Sequence, residues 1–220
     1  MAGGTAAARP GPGARRLIRR LREQGIRDAR VLEAIATVPR HALVEEALAH
    51  RAYEDAALPI GQGQTISAPG TVAVMTAALE LVGHERVLEV GTGSGYQAAV
   101  LAQLATSVVS IERVPVLADR ARSALDRMGV TQVVVQLGDG TRGWPSAAPF
   151  DAVLVTAGGP EVPTPLLEQL ARGGRLVGPF GPRGAQKLVR VRRGEDGSLC
   201  REELGPCRFV DLLGEHGWAA

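Results

Sequence analysis

The chain has 220 residues, of which 45% are hydrophobic and 22% charged, and its formal net charge is +2. That length accommodates one α/β domain with a sizeable core, and so small a charge makes no case for nucleic-acid binding. Two cysteines, Cys200 and Cys207, and four scattered histidines form neither a disulfide framework nor a metal-ligand spacing, so no metal is expected.

Residues 1–13 are rich in Ala, Gly and Pro, lack the apolar stretch of a secretory signal, and read as a disordered tail. Arg15, Arg16, Arg19, Arg20 and Arg22 follow and read as a solvated helix face. Short helices are expected over 15–23, 28–37 and 43–48, with Asp28 as an N-cap and Pro39 ending the second. Residues 51–68 hold Pro59, Gly61 and Gly63 among few periodic apolars. They read as a long irregular loop, which inside a domain is usually functional or disordered. A helix over 69–81 carries Pro69 in its first turn.

From Arg86 onward, strands at 86–90, 108–112, 132–137, 152–156 and 175–179 alternate with helices at 97–104, 114–128 and 165–172. Such alternation means right-handed βαβ units and a mainly parallel sheet with helices on both faces. Gly173 and Gly174 read as the stop of the last helix. Segments 186–192, 198–204 and 208–212 look like short C-terminal strands of open pairing. The chain thus divides into a tail and one domain over 14–220. Within it, 14–68 is a helical and loop segment, 69–180 a cofactor-binding core, and 181–220 the C-terminal strands. No apolar run approaches the roughly 20 residues that span a bilayer, and a cytoplasmic location is expected.

The most informative stretch is Val87-Leu88-Glu89-Val90-Gly91-Thr92-Gly93-Ser94-Gly95-Tyr96. An apolar strand ends in an acid and runs into a loop with glycine at every second position, where a ligand can approach the backbone closely. The dinucleotide fingerprint has its third glycine one residue later. Glu89 at the strand end would repel a pyrophosphate but suits an ammonium group, as in the methionine part of S-adenosylmethionine. Glu112 ends the next strand, and a carboxylate there can accept both ribose hydroxyls. This pairing favours S-adenosylmethionine over NAD. A plain turn beside a solvated acid is the competing reading.

Beyond the cradle, Tyr53-Glu54-Asp55-Ala56-Ala57-Leu58-Pro59-Ile60-Gly61-Gln62-Gly63-Gln64-Thr65-Ile66-Ser67 resembles the signature loop of protein-L-isoaspartate O-methyltransferases. So do Val38-Pro39-Arg40-His41, residues 87–101, Gly138-Asp139-Gly140, Gly143-Trp144-Pro145, Ala148-Pro149-Phe150-Asp151, Val155-Thr156-Ala157, residues 173–177 and Arg208-Phe209-Val210. The resemblance spans 14–213. It implies a Rossmann-like S-adenosylmethionine-dependent methyltransferase fold. It also implies methyl transfer to the free carboxylate of L-isoaspartyl residues in damaged proteins and peptides, starting repair through a succinimide.

Carried over residue by residue, Ser67 matches the active-site serine, and Ile66 and Ser67 lie beside the cofactor. Glu89, Gly91 and Gly93 match the cradle, Glu112 the ribose acid, and Asp139 and Gly140 the adenine-side pair. Gln186 matches a glutamine near the cofactor. Ala68-Pro69-Gly70 departs from the Gln-Pro-Tyr of many bacterial members, a change that bears on how the substrate peptide is gripped.

A carboxylate nucleophile, with a pKa near roughly 4, is already ionised at neutral pH and needs no general base. None is obvious here. Ser67 would hold that carboxylate by its hydroxyl, although a serine before Pro69 also suits a helix N-cap. His41 reads as a structural histidine. Other readings stay open: a relative that tailors ordinary aspartate in a peptide, a non-catalytic S-adenosylmethionine-binding protein, and, least supported, an NAD-dependent oxidoreductase. The expected partners are isoaspartyl proteins and peptides, with no nucleic acid, no membrane and a monomeric state.

Overall fold

The structure, a computed structural model, describes residues 10–219. The expected tail falls largely outside them, and its described end already enters helix α1 (Pro12–Glu23). Leu17, Ile18 and Leu21 recur at helical spacing and pack with Val31, Leu32 and Ile35 of α2 (Ala29–Thr37) in one core. The five arginines of α1 all face solvent. Asp28 caps α2 as expected, accepting from the backbone N–H of Arg30 at 2.9 Å and of Val31 at 3.2 Å.

The helix expected over 43–48 is instead two tight 3₁₀ segments, Arg40–Leu43 and Glu46–Arg51. So short a segment gains little from helix propagation. The expected loop also contains structure. β1 (Leu58–Gly61) and β2 (Gln64–Ile66) form an antiparallel hairpin. Gln62 and Gly63 both have positive φ, the geometry a two-residue hairpin turn requires. Leu58, Ile60 and Ile66 are its buried side chains. α3 (Pro69–Ala78) follows.

The main sheet has seven strands in the order β5-β4-β3-β6-β7-β8-β9. β3 (Arg86–Val90), β4 (Ser107–Glu112), β5 (Val133–Leu137), β6 (Phe150–Val155) and β7 (Leu170–Phe180) run parallel, with α4 (Tyr96–Leu101), α5 (Pro115–Arg127) and α6 (Thr164–Glu168) on the crossovers. β8 (Lys187–Arg193) and β9 (Leu199–Pro206) continue antiparallel. From β3 the chain winds outward through β4 and β5, then returns to β3's other side as β6. That reversal opens a crevice at the carboxyl ends of these strands, the usual ligand site of such sheets.

Two sequence expectations are corrected here. Gly173 and Gly174 lie within β7, not at a helix end. Gly173 has φ +72° and the β6–β7 register shifts beside it, so these glycines serve a strand irregularity. Residues 208–212 form no strand. Among the described residues their only strand-type pairing is an isolated bridge between Gly158 and Asp211.

Candidate active site

The crevice is a cleft floored by the loop after β3. Gly91 holds φ +99°, and a Cβ there would collide with the Thr156 hydroxyl. That hydroxyl donates to the carbonyl oxygens of Gly91 at 2.7 Å and Val90 at 2.9 Å, tying the loop to the end of β6. Glu112, 6% exposed at the end of β4, accepts from Gly93 N–H at 2.8 Å and Val114 N–H at 2.9 Å. Its carboxylate retains acceptor capacity toward the cleft. Ile66, Ser67, Gly91, Gly93, Glu112 and Gly140 all line this space.

The other three expected cofactor residues stand behind the walls. Glu89 is fully buried beneath the loop. Its Oε2 accepts from Ser110 Oγ, which meets Thr92 Oγ1 at 2.5 Å, and its Oε1 has no partner among the described residues. Burial pushes its pKa up to about 8, against the hydrogen bond from Ser110, and the nearby Glu112 charge adds to the rise. Thr92, not Glu89, reaches the cleft surface.

Asp139 accepts from Thr141 N–H at 2.9 Å, Thr141 Oγ1 at 2.7 Å and Glu215 N–H at 2.8 Å. Burial opposes its charge, but these hydrogen bonds hold it below the usual carboxylate range. Gln186 brackets Phe209, accepting its N–H at 2.7 Å and donating to its carbonyl at 3.4 Å. Both residues therefore fasten the C-terminal segment. Gly158 completes the fastening: its N–H donates to Val210 O at 2.7 Å, and its carbonyl accepts from Leu212 N–H and Trp218 Nε1. Residues 210–213 become a wall of the cleft.

Ser67 sits where this cleft meets a second one, lined also by Thr65, Thr156, Arg208 and Phe209. Ser67 is not a helix cap. The N-cap of α3 is Ala68, without a side-chain bond, and Asp55 Oδ1 accepts the Gly70 N–H at 2.7 Å instead. The Ser67 carbonyl accepts from Arg40 Nη2 at 2.9 Å. Arg40 is 0% exposed, donates also to the carbonyls of Ala52 and Ala56, and lies 5.4 Å from the centre of the Tyr96 ring. Burial pulls its pKa below the ordinary arginine value. It fixes the serine by pinning three points of a surrounding loop. Sequence reasoning quoted Arg40, Thr156 and Arg208 within motifs but assigned them no work. His41 stands apart from both clefts, its Nδ1 2.8 Å from the Tyr53 hydroxyl.

A glycine loop after the first parallel strand, an acid ending the second and a reversal of strand order beside them define an S-adenosylmethionine-dependent methyltransferase. The chain belongs to the protein-L-isoaspartate(D-aspartate) O-methyltransferase family, whose profile matches residues 13–217. It is 57% identical over 201 residues to a protein-L-isoaspartate O-methyltransferase of Syntrophus aciditrophicus, covering 90% of this chain and 92% of the relative. It is 59% identical over 195 residues to protein-L-isoaspartate O-methyltransferase 1 of Syntrophobacter fumaroxidans, covering 89% and 91%. A solved protein-L-isoaspartate O-methyltransferase matches with TM-score 0.85 at 29% identity, over 93% of this chain and 67% of that one. A Plasmodium falciparum structure in complex with S-adenosyl-L-homocysteine shares the fold with TM-score 0.80 at 24% identity, over 91% and 98%.

Proposed function

We propose that this chain methylates the free carboxylate of L-isoaspartyl residues in damaged proteins and peptides, opening their repair through a succinimide. The observation that carries the reading is the meeting of two clefts at one serine, one lined by the glycine loop and Glu112 and the other lacking a base. Among the described residues lining the second cleft, Arg208 alone is ionisable. A cation and a hydroxyl suit a substrate that arrives as a carboxylate, ionised without help.

When bound, S-adenosylmethionine would supply an electrophilic methyl group for a carboxylate oxygen, with its thioether as the leaving group. The protein's work is positioning, which can supply roughly 7–11 kcal/mol of such a barrier. Ser67 donates to the carboxylate and orients it. Arg208 draws the anion into the cleft and is not paired with a carboxylate among the described residues. Glu112 takes the ribose hydroxyls, Gly91 and Gly93 floor the site, and Ile66 and Gly140 wall it. Glu89, Asp139 and Gln186 act through what they hold.

In this reading 14–220 work as one domain and a monomer in the cytoplasm, on neither nucleic acid nor membrane. The net charge of +2 supports the first exclusion, and no helix of the described residues is long and apolar enough to cross a membrane.

The test is methyl transfer from labelled S-adenosylmethionine to two peptides differing only in one L-isoaspartyl or L-aspartyl residue. Base-labile label on the isoaspartyl peptide alone is expected. Label on the aspartyl peptide would replace repair with tailoring, and label on neither would refute the reading.

A further inference from the structure

The cleft beside Ser67 does not end at Phe209. Ala68, Thr71 and Phe209 line it and also line a groove that runs between α3 and β9. Ile26, Val74, Met75, Leu188 and Leu204 make the groove's apolar surface. Met75 and Leu188 are a closed floor at 1% and 6% exposure. Val74 and Leu204 stay open at 42% and 37%, although each is large enough to gain from burial.

Gly70 lines the groove where α3 begins. A Cβ there would lie 2.9 Å from both carboxylate oxygens of Asp55. Asp55 is the charged group at this rim, and its oxygens are engaged by Gly70 N–H at 2.7 Å and Gln24 Nε2 at 3.0 Å. No other charged side chain lines the groove among the described residues.

We infer that this groove is a subsite for an apolar side chain of the substrate, on a residue flanking the isoaspartyl residue. The inference rests on the reading of the Ser67 cleft as the isoaspartyl site. Continuity identifies the occupant: a peptide whose carboxylate reaches Ser67 has its neighbouring residues at the shared wall of Ala68, Thr71 and Phe209. A serine side chain offers the groove nothing, whereas a leucine there leaves water and covers Val74 and Leu204. The enzyme thus grades damaged sites by their neighbours, not by the lesion alone.

The experiment uses isoaspartyl peptides identical except for Leu or Ser at each near position on either side, assayed at saturating S-adenosylmethionine. At one position Leu should lower KM about tenfold relative to Ser with little change in kcat. Val74→Asp and Leu204→Asp should each shrink that preference below about twofold. The preference is a ratio within one sample, so a partly folded variant does not imitate its loss. Equal KM values at every position, with methylation intact, would overturn the subsite and leave the isoaspartyl activity standing. A preference unmoved by both variants would place the contact elsewhere and overturn it too. Methylation of no peptide would remove the activity on which it rests. A concentration-dependent dimer abolished by Val74→Asp would assign the groove to a second copy of the chain instead.

Discussion

Replacing Gly91 with alanine tests how the cofactor floor is built. Its φ of +99° costs an alanine about 1–2 kcal/mol. The new methyl also collides with Thr156 Oγ1, so the hydroxyl must leave the carbonyls of Val90 and Gly91. Losing that pair of bonds costs about 1–2 kcal/mol. The sum is about 3 kcal/mol, which lowers Tm by about 6–12 °C in a chain of this size. Thr156→Ala alone should cost about 1–2 kcal/mol, since only the hydroxyl is lost.

In the double variant the methyl has room, because the next nearest atom, Thr156 Cβ, lies 3.7 Å away. The hydroxyl is then lost once, not twice, and the double variant should be about 1–2 kcal/mol more stable than additivity predicts. Urea unfolding of the four proteins measures this directly. Calorimetric titration with S-adenosylmethionine should show affinity reduced at least about tenfold in Gly91→Ala and partly restored in the double variant. Additive unfolding free energies would refute the steric account of the loop.

Three further outcomes are expected. Ser67→Ala should lower kcat on an isoaspartyl peptide about hundredfold while leaving cofactor affinity within about twofold; unchanged turnover would show that the hydroxyl does not touch the substrate. Glu112→Ala should raise the S-adenosylmethionine Kd about 10- to 100-fold by calorimetry, because charged hydrogen bonds are removed from loop and ligand alike; an unchanged Kd would end the ribose assignment. Glu89 carries a pKa raised from 4.5 to about 8 in the folded protein, so the native state keeps a proton that the unfolded chain releases. Its contribution is whole below pH 4.5 and is lost as pH rises toward 8. Glu89→Gln should flatten that decline in urea midpoints of the cofactor-free protein, and parallel pH profiles for both proteins would count against a protonated Glu89.

Much of the fold was legible because its signals are local. β3 has the expected bounds, since an apolar run followed by alternating glycines defines both its end and the loop. The hairpin of β1 and β2 was not legible, as Pro59 and Gly61 interrupt its alternation and Gln62 is an unusual residue for positive φ. Gly173 and Gly174 misled for a related reason. Glycine marks a backbone irregularity, but whether that is a helix stop or a strand bulge depends on β6 alongside.

The same division runs through the site. Residue order alone determined that Gly91, Gly93 and Glu112 would share one crevice, because the glycines follow one parallel strand, Glu112 ends the next, and such strands end on one edge; Gly140 came from the resemblance. Ser67 and Ile66 came from the resemblance of their loop, not from any local physical signal. Only the tertiary structure decided what holds these groups in place. Arg40 reaches Ser67 across 27 residues, Thr156 reaches Gly91 across 65, and Asp139 fastens Glu215 across 76. Those partners meet through sheet order and burial, which place an arginine in the interior and a C-terminal segment along the cleft. No spacing along the chain encodes such meetings.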